Sequence, residues 1–432
     1  MVLCPNRLPY FCRLFSQMLQ LSKGAAVGFI FITLTIDVIG FGLIIPVMPD
    51  LLMELKHIPL NETSKWGGYL IAAFATTQFL FAPLMGNLSD RYGRRPVILI
   101  SLLAFCLDYL ILALAPNYWI LFLGRVLSGM TGASFTAASA YIADVSTDET
   151  RAKNFGLIGA AFGVGFILGP ALGGFMAAWG VRAPFYAAAV LCFLNFLYGY
   201  FVLPESLKPE NRRPFNWKKA NPIGSLRFFG KYPKISALVL AFVFINLAAH
   251  AVQSNWSYFT MYVFSWTERQ VGISLAIIGA LVGLVQGVLI RFVNPKLGEA
   301  RSAYLGLALY SLGLALFAFA TQSWMMYVFL IPYCLGGFAG PALQSIITRE
   351  VDVSEQGQLQ GSLTSLMSLT SIFGPLIMTR LFYFATTEGA SFHFPGAPFL
   401  LGALFMFTSL ILTWRVLSGR RERRLAQKAA HS

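Results

Sequence analysis

The chain has 432 residues, of which 57% are hydrophobic and only 12% charged. A soluble domain carries roughly 25% charged residues, so this composition excludes an ordinary soluble enzyme, a disordered chain and a disulfide scaffold. The few charges are also unbalanced, 32 Lys+Arg against 18 Asp+Glu, which leaves either a polyanion partner or a membrane that sorts basic residues to one face.

The predicted elements are all membrane spans. A helix that crosses a bilayer needs about 20 mostly apolar residues, and about twelve such stretches occur. They cover residues 24–49, 66–88, 97–115, 118–143, 155–179, 184–203, 236–262, 271–293, 303–321, 324–347, 359–384 and 396–418. Strand-like alternation is absent, which argues against a β-barrel. Ahead of the first span, residues 1–22 hold apolar residues and two arginines but no clear cleavage pattern. Two readings stand there, an amphipathic surface segment or a true start at Met18.

Basic residues decide the orientation. Twenty-six of them lie in the N-terminal segment, the tail and the connections on that side of the membrane. Five lie on the other side (Lys56, Lys65, Arg182, Arg269 and Arg380), and one, Arg125, is inside a span. The positive-inside rule then places both termini in the cytoplasm, in a multi-pass protein of the inner membrane. The charge excess is topological and needs no nucleic-acid partner. The five cysteines have no metal-type spacing, and no metal site is expected.

The longest polar connection, with Pro204, Pro209, Pro214 and Pro222, divides the chain. The expected organisation is an N-terminal segment 1–23, a six-helix bundle 24–203, a linker 204–235, a second bundle 236–418 and a basic tail 419–432. One offset of 205 residues superposes Gly93 on Gly298, Gly132 on Gly337, Gly156 on Gly361, Gly169 on Gly374 and Pro170 on Pro375. Such a duplication places a substrate cavity between the halves, exposed alternately as one rocks against the other.

Three motifs stand out. Between spans 2 and 3 the chain reads Gly86-Asn-Leu-Ser-Asp90-Arg91-Tyr-Gly93-Arg94-Arg95-Pro96, a tight turn whose Asp90 can accept hydrogen bonds from an arginine or helix N-terminus of the other half. In span 4, Arg125 is followed by Gly129 and Gly132; a charge at this depth is costly and marks function unless it snorkels. In span 5, Gly159, Gly163, Gly165, Gly169-Pro170 and Gly173-Gly174 allow close helix packing with a kink.

These motifs resemble those of the major facilitator superfamily: the first its G-x-x-x-D-R-x-G-R-R signature, the third the G-x-x-x-G-P-x-x-G-G run of drug/proton antiporters. Span 1, from Asp37 through Gly40, Gly42 and Pro46 to Pro49, and Asp108-Tyr109 in span 3 resemble the tetracycline-resistance group. The resemblance covers the whole chain. It implies twelve helices in two six-helix bundles related by a pseudo-two-fold, an all-α integral membrane fold. It also implies exchange of tetracycline–divalent-cation complexes for protons. Asp37, Gln78, Asp90, Arg94, Asp108 and Arg125 match positions which that family uses for coupling, substrate contact or gating. In span 9 the group's embedded carboxylate falls on Tyr310, and its span 8 histidine on Val282, whereas Gln286 matches. No acidic residue is predicted inside spans 7–12, with Glu268, Glu299, Glu350, Asp352, Glu355 and Glu388 all read in loops. These departures speak against tetracycline itself as substrate.

Proton coupling falls on Asp37 and Asp108, because burial favours the neutral form of a carboxyl and lets it take up and release protons. Structural readings stand beside both: Asp37 bonded to Thr33, Thr35 or a facing helix, and Asp108 paired with Arg125. In span 7, Asn246, His250 and Gln253 share a helical face. With Gln78, Arg125, Gln286, Tyr310 and Gln344 they are the candidate cavity residues, and an interhelical hydrogen-bond network is the competing reading. Asn195 is a weaker candidate. No catalytic cluster and no nucleotide loop occur, so neither an enzyme nor an ATP-driven pump is expected. The expected protein is a monomeric transporter without a cofactor, driven by the proton gradient. It would expel small amphipathic compounds, the alternative being a proton-coupled metabolite, sugar or siderophore transporter.

Overall fold

The structure, a computed structural model, describes residues 27–132, 134–215, 224–232, 235–352, 355–389 and 392–429. The N-terminal segment through residue 26, with both readings of it, lies outside these. Among the described residues every regular element is helical, as hydrocarbon requires of a chain that must satisfy its backbone internally. Eleven helical stretches are long and apolar enough to cross a membrane, and twelve when one bent pair counts as a span.

That bent pair is the first predicted span. It consists of α1 (Val27–Leu43) and α2 (Met48–Lys56), inclined by 49°. Pro46 lies in the turn between them, and a proline there removes a backbone donor and breaks the helix. The second and third spans are α3 (Leu60–Tyr92) and α4 (Arg94–Leu114). The fourth is broken into α5 (Tyr118–Thr131) and α6 (Ser134–Val145), and is followed by α7 (Asp148–Met176) and α8 (Ala183–Val202).

After the linker come α9 (Ser236–Phe264) and α10 (Glu268–Leu284), the latter continued by a π-turn, Val285–Leu289, and α11 (Ile290–Leu297). Next are α12 (Glu299–Ala318) and a tenth span in three parts, α13 (Ser323–Leu335), a 3-10 turn Gly336–Phe338 and α14 (Ala339–Thr348). The last two spans are α15 (Gln356–Thr386) and α16 (Ala397–Ala429). Two acids read as loop residues, Glu268 and Glu299, are in fact the first residues of α10 and α12. The last helix runs on through most of the basic tail.

Packing follows the two halves. One core cluster runs from Phe228 to Met406. Two others lie wholly within the first half, one around Leu43, Tyr109 and Phe185, the other around Phe29, Ile98 and Tyr141. The 205-residue offset reappears as geometry. Gly93 and Gly298 both sit between two helices at positive φ, 108° and 76° with ψ 160° and 159°, a region L side chains rarely enter. Pro170 and Pro375 lie inside α7 and α15. The fourth span breaks after Gly132 and the tenth at Gly336–Phe338.

The linker is pinned to the second half. Phe228 is buried in its core, and Tyr232 and Lys231 donate hydrogen bonds to Glu355 just before α15. The Tyr232 hydroxyl first, and Lys231 with it, hold the Glu355 carboxyl below the ordinary carboxylate range. A depressed acid stabilises above its unfolded pKa and loses that contribution as pH falls through the folded value. Hydrogen-exchange protection at residues 228–232 is therefore expected to hold from neutral pH down to mild acid and then fall. In Glu355→Gln it is low throughout that range.

Candidate functional site

The two halves touch at one end of the bundle. We call it the far end, because the Asp90 turn, the linker and the start of α1 lie at the other, the terminus end. At the far end Asn61 Nδ2 donates to the Thr386 carbonyl at 3.0 Å, and Ser64 Oγ to the Thr379 carbonyl at 3.3 Å. Arg380 donates to Tyr69 Oη at 2.6 Å, and Ser257 Oγ to the Ile45 carbonyl at 3.3 Å.

The glycine run of α7 supplies the closeness. A β-carbon on Gly165 would fall 2.5 Å from Val38 Cβ, and one on Gly169 2.8 Å from Gly42 Cα. On Gly173 it would strike the Leu43 carbonyl, and on Gly174 the Glu268 carbonyl. Gly272 of α10 returns the contact against the Pro170 carbonyl. This is small-residue packing of one helix against α1 on one side and α10 on the other. Along the same stripe toward the terminus end, Gly163 and Gly156 on α7 and Gly283 and Gly287 beyond Gly279 have nothing within 4 Å of such a carbon. The halves therefore meet at the far end and part toward the terminus end.

Inside the first half the charges cluster. Arg125 Nη2 donates to Asp108 Oδ2 at 2.9 Å, with Asp108 only 2% and Arg125 5% exposed. Gly124 makes the approach possible, since a β-carbon there would fall 3.1 Å from Asp108 Oδ1. Arg125 thus does not snorkel; its guanidinium is paired with Asp108 within the bundle.

Beside the pair, buried Tyr109 reaches α1. A β-carbon on Gly40, one turn from Asp37, would fall 3.0 Å from its hydroxyl. Tyr109 lies within electrostatic reach of Asp37, Asp108 and Arg125 together. The two threonines considered for Asp37 are committed elsewhere: Thr33 to Asn195 at 3.2 Å, and Thr35 to the Phe31 carbonyl at 2.7 Å. Asn195 is thereby an interhelical strut between α8 and α1. Tyr109 was legible only as a neighbour of Asp108; its reach to Gly40 is a tertiary fact.

The polar residues of the second half are spread over two places. Asn246 Nδ2 bonds the Phe242 carbonyl of its own helix at 2.8 Å. His250 is buried against Gly374 of α15, whereas Gln253 is exposed. The shared helical face therefore does not make one cluster of the three. Gln286 and Tyr310 do converge, on the break of the tenth span. Tyr310 backs onto Gly336, and Gln286 Nε2 lies 3.9 Å from the position of a Gly337 β-carbon. Tyr310 Oη donates to Tyr333 Oη at 3.3 Å, their rings meeting edge to face at 4.8 Å. Gln286 itself lies in the π-turn, a distortion often found where a helix serves a site. The first half repeats this arrangement, with Gln78 Nε2 donating to the Gly132 carbonyl at 3.3 Å where the fourth span breaks. Gln344 stands apart and bonds Gln360 at 2.9 Å.

At the terminus end the signature turn closes on its own half. Arg94 donates to Asp90 at 2.5 Å, to Ser89 at 2.7 Å and to Asp144 at 3.1 Å. Arg91 faces the Tyr92 ring, and Gly86 lies beside Thr136. Glu205 was not anticipated. Its carboxylate accepts from the Arg94 and Arg95 amides at 2.9 and 3.3 Å, which caps the N-terminus of α4. The Arg213 amide donates to the Asp90 carbonyl at 3.1 Å. Linker and turn together enclose a polar pocket of about 550 Å³. At the same offset in the second half, Arg349 pairs with Glu299 at 2.8 Å. Arg94 corresponds to Glu299 and Asp144 to Arg349, so the joint recurs with its signs exchanged.

Comparison with known proteins agrees with this architecture. The family model of the Major Facilitator Superfamily matches residues 30–375 and 255–432. The tetracycline resistance protein, class C, of Escherichia coli is 44% identical over 350 residues, covering 81% of this chain and 88% of that one. Multidrug resistance protein 2 of Bacillus subtilis is 31% identical over 381 residues, covering 87% and 91%. The fold is similar to that of the human organic anion transporter MFSD10 (TETRAN), with a TM-score of 0.69 at 24% identity over 90% of this chain and 99% of that one. The chain belongs to the major facilitator superfamily, and it is a multi-pass membrane transporter, not an enzyme.

Proposed function

We propose that this transporter expels small amphipathic compounds in exchange for protons. It works in the inner membrane as a monomer, without a cofactor and with both termini in the cytoplasm. The observation that carries this reading is the Asp37–Tyr109–Asp108–Arg125 group within the first half. It puts two carboxyls and one permanent cation into a bundle where an unpaired charge is costly. Taking a proton onto that group and giving it up on the other side changes its net charge by one, so the proton gradient biases which end is open. Two relatives named for tetracycline resistance and multidrug resistance support the same reading. The terminus end, where the halves part, then opens to the cytoplasm, and the cavity in this conformation awaits a compound from inside the cell.

The Tyr310–Tyr333 pair bears on the compound. Two edge-to-face rings with hydroxyl tips suit an aromatic, amphipathic molecule, and they supply no charge to hold a bound metal complex. Expression in an efflux-deficient host is expected to raise inhibitory concentrations for ring-bearing amphipathic drugs, with a protonophore cancelling the gain. Resistance to tetracycline is expected to be weak and to rise in Tyr310→Asp. A host that gains no protection against any such compound refutes the reading. Strong resistance confined to tetracycline refutes the part assigned to Tyr310.

A further inference from the structure

At the far end the second half inserts two side chains into the first. Tyr258 of α9 ends against Gly67 of α3, and Thr379 of α15 against the next residue, Gly68. A β-carbon on Gly67 would take the place of the Tyr258 hydroxyl and fall 2.9 Å from Tyr258 Cζ. One on Gly68 would strike Thr379 Oγ1 and fall 3.1 Å from Thr379 Cβ. Both recesses exist because α3 carries no side chain at these two positions.

The first half braces the larger recess from behind. The Trp66 carbonyl accepts from Tyr118 Oη at 3.2 Å, and the two rings meet edge to face at 4.9 Å. Leu52 of α2, fully buried, closes the side, its Cδ1 3.5 Å from the position of a Gly67 β-carbon. Tyr258 is held too, since Ser257 before it is bonded to the Ile45 carbonyl. Tyr258 is 4% and Thr379 0% exposed, so both are dry although they cross between the halves. Around them α3 and α15 exchange cations. Lys65 Nζ lies 4.1 Å from the centre of the Tyr383 ring, and Arg380 Cζ 5.4 Å from that of Tyr69. Each half thus offers one cation to a tyrosine of the other.

We propose that Tyr258 is the exit plug of this transporter and Gly67 its socket, so that a compound leaves only after the tyrosine is drawn out as the halves part at the far end. Thr379 seated at Gly68 is the second, smaller knob. A tyrosine ring is rigid, with two rotatable bonds, and cannot fold back to make room. Packed contacts of this kind respond to a single added methyl group. A side chain at Gly67 therefore keeps the halves apart, although it touches nothing once they have separated. The role concerns opening and closing alone and holds whichever compound or ion is exchanged.

The test uses the full-length protein in lipid nanodiscs, without substrate or gradient. Cys4 and Cys12 are changed to serine; Cys106, Cys192 and Cys334 are buried. Spin labels on Ile58→Cys and Glu388→Cys flank the Asn61–Thr386 bond and report the far-end separation. The wild type is expected to show a majority short-distance population, and Gly67→Ala only a minority. Gly67→Ala with Tyr258→Leu is expected to regain the majority, because the shorter side chain clears the added methyl group. Should Gly67→Ala fail to fold, Gly68→Ala is expected to open the far end in the same way and Thr379→Ala to relieve it. A wild type that is open, a glycine variant as closed as the wild type, or one that its partner change does not restore would overturn the plug. The distance is read without transport, so failure of proton exchange would show in flux assays while leaving this result intact.

Discussion

Asp37→Asn abolishes the response of drug flux to a pH gradient while leaving the protein folded and inserted. One pH unit is worth about 1.4 kcal/mol per proton, or about a tenfold concentration ratio of the exchanged compound. In everted vesicles the wild type is expected to build such a ratio for each proton exchanged. The variant falls back to equilibration. An asparagine keeps the size and hydrogen-bonding capacity of the side chain at this site beside Gly40 and Tyr109, and removes only the titration. Drug-for-drug counterflow, which needs no net proton movement, is expected to survive. Retention of pH-driven accumulation would remove Asp37 from the coupling role.

The second large effect concerns the buried pair. Removing one partner of a buried ion pair strands the other and costs about 3–5 kcal/mol, whereas replacing both with apolar residues of similar volume is often neutral. Arg125→Ala is therefore expected to unfold at a markedly lower temperature, leaving Asp108 buried without its partner between α4 and α5. The double change Asp108→Leu with Arg125→Met should recover most of that loss in thermal unfolding of the purified protein. It should not recover pH-driven exchange, because the charges flanking Tyr109 and Asp37 are gone. Full recovery of both would make the pair a structural strut and confine coupling to Asp37.

Much of the fold was legible because hydrocarbon imposes one rule on every span. About 20 apolar residues form a helix whatever their order, and among the described residues all twelve predicted stretches fall on helices, some of them bent or interrupted. The glycine run around Pro170 also read correctly as a packing stripe, since its spacing alone defines a face. Harder to see were features set by partners distant in sequence. The break of the fourth span at Gly132 leaves no proline as a signal, and its meaning emerges only with Gln78 bonded to the Gly132 carbonyl. Tyr333 follows a proline inside α13, yet its pairing with Tyr310 depends on how α12 and α13 cross. Glu205 looked like linker composition until it capped α4 from 110 residues away. Span 7 shows a related limit. A helical face defines direction, and the neighbour in that direction, α15 for His250 and open space for Gln253, decides whether the residue is buried.

The sign-exchanged joint carries a lesson about descent. Arg94 with Asp144 and Glu299 with Arg349 hold equivalent corners of the two halves, yet a residue-by-residue comparison of those halves scores both positions as opposites. What the two halves share at this corner is an ion pair between equivalent positions, not a particular amino acid. Either charge can sit on either helix provided the other answers it, so the two halves were free to drift apart in local field while remaining the same mechanical part. A transporter built this way can give its two faces different electrical characters without redesigning its hinge.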